Sequence, residues 1–97
     1  MEASLDENVI FLNGELAVAD AETLRSRVVE LVRKAGGKII VDVSRCHSRS
    51  MVIVPVLLGA LRKARAMNGS AVLRGVSPAL LSILELTDLD DVIPMVQ

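Results

Sequence analysis

Lys38-Ile-Ile-Val-Asp-Val43, then Ser44-Arg-Cys-His-Ser-Arg-Ser50, then Met51-Val-Ile-Val-Pro55 follow one another without a break, and their order decides the fold. The first segment is β-branched and almost continuously apolar, as a central strand covered on both faces would be. The second gathers Ser44, Ser48 and Ser50 with Arg45 and Arg49. The third opens an uncharged apolar run over residues 51–61 that Arg62-Lys63 closes. A buried strand that delivers a short hydroxyl-rich, basic loop to the start of a helix is a common frame for a recognition site. The first-turn amides of a helix lack partners within it and favour anions and polar groups.

Outward from this stretch, Val9-Ile-Phe-Leu12 reads as a short strand ended by the turn signal Asn13-Gly14, with Glu15-Leu-Ala-Val18 as a hairpin partner. Asp20 is placed to cap a helix from Ala21, and Leu24, Val28, Leu31, Val32 and Ala35 fall on one face at helical spacing. Gly36-Gly37 stops it. Downstream of the loop, Leu57, Leu58, Leu61, Ala64 and Met67 form the stripe of a second helix ended by Asn68-Gly69. Pro55 and the β-branched residues before it make a poor first turn, so the regular helix is expected to begin near Pro55, with 51–54 extended or loosely wound. Ala71-Val-Leu-Arg74 is a further strand. Ser77-Pro78 pairs an N-cap with a proline at the first helical position, opening a third helix with Leu80, Ile83 and Leu84 on one face. A short turn and a strand fragment over 92–96 end the chain. The order is β(β)-α-β-α-β-α-β, an α/β fold with helices flanking a mixed sheet.

At 97 residues, one domain is all the chain can hold. Eleven basic against twelve acidic side chains give a net charge of −1, so no overall field points to nucleic acid or an anionic membrane surface. Phe11 is the only aromatic residue, which removes the stacking platform of single-strand binders. Cys46 is the only cysteine and demands no oxidising compartment. The acidic start, Met1-Glu-Ala-Ser-Leu-Asp-Glu7, lacks the charge pattern of a signal peptide, so a cytoplasmic location is expected. The 51–61 run is too short to span a bilayer.

An enzyme needs convergent titratable groups, and this chain offers one His, one Cys and scattered acids. Cys46 and His47 are adjacent, and no further His or Cys completes a metal site, so neither a catalytic set nor a metal or cofactor is expected. Gly75-Val-Ser-Pro78 reads as a capped helix start rather than a phosphate cradle. The loop is the better candidate. Ser50 occupies a capping position, and Ser48, Arg49 and Ser50 with Met51, Val52 and Val54 beside them form a candidate docking edge for a protein partner.

These residues resemble a STAS domain, the fold of anti-sigma-factor antagonists and of the small STAS subunit of Mla-type phospholipid transporters. The resemblance spans most of residues 1–97 and is carried by Leu12-Asn-Gly-Glu-Leu16, by Ile40-Val-Asp-Val-Ser44, and by Gly75-Val-Ser-Pro-Ala-Leu80 leading to Leu86-Thr-Asp-Leu-Asp-Asp-Val-Ile-Pro94. It implies a mixed central sheet flanked by three to four helices. In the family, a loop motif of the Asp-Ser-Ser/Ala-Gly-Leu type carries a phosphorylated or essential hydroxyl. Alignment on Val41-Asp-Val-Ser44 puts Ser50 at the family's Asp, Met51 at its hydroxyl and Ile53 at its glycine. Met51 accepts no phosphate, which leaves Ser50 and Ser48 as the nearest candidates for a shifted acceptor, with Ser50 taking the role if the register slips by one. The resemblance implies a non-enzymatic regulator that binds a protein: the cytoplasmic ABC ATPase of a phospholipid transporter, or alternatively an anti-sigma factor kinase. A small-ligand or nucleotide-binding module is a further alternative.

Overall fold

The computed structural model describes residues 1–47 and 51–96. Strands β1 (Glu2–Asp6), β2 (Val9–Asn13), β3 (Lys38–Asp42), β4 (Ser70–Arg74) and β5 (Met95–Val96) alternate with helices α1 (Ala21–Lys34), α2 (Ile53–Ala66) and α3 (Pro78–Leu86). Single 3-10 turns lie at Val18–Asp20 and Leu89–Asp91. The sheet order is β1-β2-β3-β4-β5. Only the β1–β2 pair is antiparallel, and β2 through β5 run parallel. The expected α/β order and the central place of β3 are both present.

The handedness of the connections fixes where the helices go. Each parallel strand is followed by its neighbour in chain order, and right-handed crossovers that step in one direction deposit every helix on the same face. The pleat records the result. Ile10, Leu12, Ile39, Val41, Ala71 and Leu73 are buried, whereas the alternate positions Val9, Phe11, Ile40 and Val72 are only half-buried. The molecule is correspondingly thin, 29 × 27 × 19 Å. The Ile39-Ile-Val run is therefore covered on one face, not on both. Its second isoleucine sits on the open face between Val9 and Val72, its neighbours in register.

The partner of β2 is the upstream segment, not Glu15-Leu-Ala-Val18. Ala3 and Leu5 turn inward to the core, and the hairpin closes through Glu7 in the left-handed region at φ 55°. Leu16 instead tucks into the core, and the chain then winds into the 3-10 turn. Asp20 does precede α1, but it makes no capping hydrogen bond because its φ of −99° and ψ of −4° are helical rather than extended. At α3 the expected cap forms: Ser77 Oγ accepts from the Leu80 N–H at 3.2 Å. The last strand is shorter than expected, since the turn at Leu89–Asp91 uses that length to bury Leu89 and Ile93.

Helix α2 begins at Ile53, two residues before Pro55. Proline at the third helical position loses only an N–H that has no acceptor within the helix. Ile53 is 0% exposed, and its burial holds the first turn in place. The Val54 N–H donates to the Met51 carbonyl at 3.0 Å, so 51–54 is wound, not extended. Val52, at φ −64° and ψ −18°, occupies the N-cap position. Behind α2 the chain turns at Gly69, where a Cβ would lie 2.1 Å from the Gly37 carbonyl oxygen. That approach lets the Ser70 N–H bond Gly37 at 3.0 Å and registers β4 on β3.

Ile53→Ala is expected to lower the unfolding free energy by about 2–4 kcal/mol, measured by urea titration. A loss below about 1 kcal/mol would show that this side chain does not anchor the helix start.

Candidate functional site

The loop after β3 leaves the sheet at its C-terminal rim, where the N-termini of all three helices gather. Its base is held from three sides. Asp42, the one buried charged residue among the described residues, accepts from the Ser44 N–H and Ser44 hydroxyl at 2.9 and 2.6 Å on Oδ1. Its Oδ2 accepts from Arg74 Nε at 2.8 Å. The Arg74 guanidinium in turn lies 6.0 Å from the centre of the Phe11 ring. On the β2 side, the Gly14 N–H donates to the Arg45 carbonyl and the His47 N–H to the Gly14 carbonyl, both at 2.9 Å, a parallel bridge that extends the sheet to Cys46. On the β4 side, Gly75 at φ 76° passes so near Ser44 that a Cβ would meet the serine Cβ at 2.6 Å.

Burial pushes the Asp42 carboxyl up, but the Ser44 hydroxyl and amide and the Arg74 guanidinium outweigh it and hold it below the usual carboxylate value. Its three hydrogen bonds engage both carboxylate oxygens and are directed at the loop base and at β4, so this acid ties the rim together. Cys46 is buried and His47 is exposed, so these neighbours do not converge. Among the described residues, no group of three or more His, Cys, Asp or Glu side chains is placed to hold a metal ion.

Ser48, Arg49 and Ser50 lie outside the described residues. Of the remaining edge residues, Met51 is 55% exposed, while Val52 and Val54 are half-buried and pack partly on the core. Ile53 is core, not edge. The edge continues along α2: Met51, Pro55, Leu58 and Arg62 recur at helical spacing, with Leu58 half-buried and the others exposed. Arg65, one turn on, donates to the Val92 carbonyl at 3.4 Å. No acid occurs in α2, so the row is apolar at its start and basic at its end. Val18, 72% exposed in the turn before α1, is a second apolar group at this rim. It was hidden in sequence because the Leu16-Ala-Val18 run reads as a strand. A separate cleft of about 430 Å³ lies at the β1 edge beneath the start of α1, lined by Ala3, Ser4, Thr23, Leu24 and Arg27. It does not include the rim loop.

The fold and rim define a class: a two-layer α/β module with a one-sided, mainly parallel sheet and its loops collected at one end. A family model described as "Mlab, STAS domain" matches residues 1–97, and the chain belongs to the STAS family. Solved structures agree in fold. A candidate anti-sigma factor antagonist from Thermotoga maritima superposes with a TM-score of 0.78 at 22% identity, over 97% of this chain and 83% of that one. Unphosphorylated SpoIIAA, an anti-sigma factor antagonist, gives 0.77 at 22% identity over 99% and 87%. An anti-sigma-factor antagonist (STAS) domain protein from Planctomyces limnophilus gives 0.76 at 17% over 99% and 87%. No curated protein matches the sequence. Among the described residues, no helix is long and apolar enough to cross a membrane.

Asp42→Asn is expected to cost about 2 kcal/mol at neutral pH, because Arg74 and Ser44 lose a charged acceptor. The native carboxyl's contribution is complete above its unfolded pKa of about 4 and fades as pH falls towards the lower folded value. Chemical denaturation from pH 7 to pH 3 should therefore show the difference between native and variant shrinking with acid. A constant or growing difference would contradict the ion pair.

Proposed function

We propose that the chain is a non-enzymatic STAS module that regulates a partner protein by binding it through the start and exposed side of α2. The docking edge comprises Ser48, Arg49 and Ser50, then Met51, Val52 and Val54, extended by Pro55, Leu58 and Arg62. The observation that carries this reading is the exposed Met51 at the head of a row on α2 in which Pro55 and Arg62 are exposed and Leu58 half-buried, on a helix anchored by the buried Ile53. An apolar start with a basic end suits an amphipathic surface on another protein. Met51 stands where the family carries its hydroxyl, so this edge is constitutive, with Ser50 the remaining acceptor if a phosphate is added at all.

The partner we favour is the cytoplasmic ABC ATPase of an Mla-type phospholipid transporter, which makes the chain that transporter's accessory subunit and places it in the cytoplasm. The family description over the whole chain supports this. The second reading, an antagonist of an anti-sigma factor kinase, is supported by the solved antagonists of the same fold. A small-ligand or nucleotide-binding role has less support. Doubly wound sheets hold such ligands where neighbouring helices fall on opposite faces, and a sheet with all its helices on one face has no such crevice.

Affinity purification of the full chain from its native cells, with bound proteins identified by mass spectrometry, separates the two partners. An ABC ATPase is expected, a kinase-type anti-sigma factor would support the second reading, and recovery of neither would remove both. Met51→Asp should weaken the recovered complex at least roughly tenfold while leaving the melting temperature nearly unchanged. Undiminished affinity would take this edge out of the site.

A further inference from the structure

The sheet ends differently on its two sides. On one side β5 is only two residues long; on the other β1 runs for five, Glu2–Asp6, with β2 as its one neighbour. The two-residue turn at Glu7 and Asn8 makes Asp6–Val9 the hydrogen-bonded closing pair of the hairpin. Alternation along the antiparallel ladder then aims the N–H and C=O groups of Glu2, Ser4 and Asp6 at β2, and those of Ala3 and Leu5 at the open edge. Among the described residues no backbone group meets them there. An unpaired edge of this length is a ready template for another strand.

This edge also borders a cleft. Helix α1 faces α2 with Arg25 and Val29, which lie against Gly59. Its other side turns Thr23, Leu24 and Arg27 to the hollow of about 430 Å³ beside β1. Ala3 and Leu5 point to this helical layer, while Glu2, Ser4 and Asp6 are exposed on the open face.

We propose that the β1 edge is a docking site for an extended, basic segment of another protein, which joins the five strands as a sixth. The added backbone pairs with Ala3 and Leu5. Side chains opposite those two residues fall on the helical side, and the one beside Ala3 enters the cleft between Thr23, Leu24 and the stem of Arg27, a lining that suits a branched apolar group. Side chains opposite Glu2 and Asp6 fall on the open face, next to two exposed carboxylates, where opposite charge stabilises and like charge repels. Four acids, Glu2, Asp6, Glu7 and Asp20, stand around this edge against Arg27 and the Met1 amino group, and among the described residues none of these is in an ion pair. Lys38 and Arg74 belong to β3 and β4, and Arg74 is already held by Asp42. The same acids disfavour a second copy of this chain, because pairing two β1 strands along the whole edge sets Glu2 opposite Asp6 at both ends. In strand addition the main-chain bonds supply affinity and the alternate side chains supply selectivity. This site is distinct from the docking edge on α2, from which α1 separates it.

The probe is an acetylated, amidated peptide, Thr-Lys-Val-Thr-Val-Lys-Thr, whose sequence reads the same in either strand direction. It is titrated to about 5 mM into the isotope-labelled full chain, with Thr-Glu-Val-Thr-Val-Glu-Thr as the charge-reversed control, and followed by amide NMR shifts and hydrogen exchange. Saturable shifts confined to β1 and the cleft side of α1 are expected, with exchange at the Ala3 and Leu5 amides slowed roughly fivefold or more by the basic peptide alone. Glu2→Lys combined with Asp6→Lys, which alters only exposed side chains, should reverse the preference between the two peptides. Met51→Asp should change none of this, so failure of the α2 edge and failure of this one are told apart. No saturable shift, equal slowing by both peptides, shifts centred on α2, or a preference that survives the double charge reversal overturns the proposal. So does slowing without peptide that grows with protein concentration, which would put a second copy on the edge.

Discussion

The handedness of the strand connections is the constraint on which the rest of this structure depends. Four parallel strands laid side by side in chain order, with right-handed crossovers, cannot distribute their helices over two faces. From this follow a single helical layer, a bare sheet face and a rim where three helix N-termini and three loops meet. The docking edge proposed at α2 and the bare sheet face are therefore separated by the thickness of the sheet. One is helical, apolar and basic; the other is flat and carries both signs of charge.

Rigidity at the rim comes from polar contacts of very short reach. Asp42 joins β3 to β4 through Arg74 and curls the chain back through Ser44, while Gly14 and Gly75 bring the flanking loops close. An acid in such a place is held charged by its partners, and removing the acid leaves Ser44 and Arg74 without their shared acceptor in a part-buried site. The edge that begins at Met51 is thus presented by a fixed base. Ile53 completes the picture: where the family resemblance expects a glycine, a fully buried side chain locks the first turn of α2 into the core. That locked first turn is what the proposed constitutive docking edge rests on.

Much of this was legible in the sequence. The β-branched run at β3, the helical stripes of α1 and α2, and the Ser77-Pro78 start of α3 are local signals that the fold obeys. Strand β1 was missed because its alternation rests on only Ala3 and Leu5, with a turn at Glu7 that lacks the usual glycine. The one-sided cover of Ile39-Ile-Val was not legible, since an apolar run looks the same whether its second face meets a helix or solvent. Pro55 misled by its ordinary helix-breaking role, which does not operate in a first turn. Asp42 could have been noticed as the single acid in an apolar strand, but its partner Arg74 lies thirty-two residues away and becomes its neighbour only through the β3–β4 register. How the candidate edge meets a partner could not be read at all, because that depends on a second protein.

Site-specific photo-crosslinking inside the native cell is the most direct measurement of the docking edge. With a photoreactive residue at position 51, the account predicts one dominant adduct to a single larger protein, absent when the same residue is placed at position 72 on the bare sheet face. No adduct from position 51, or the same adduct from both positions, would contradict α2 as the face by which this chain binds its partner.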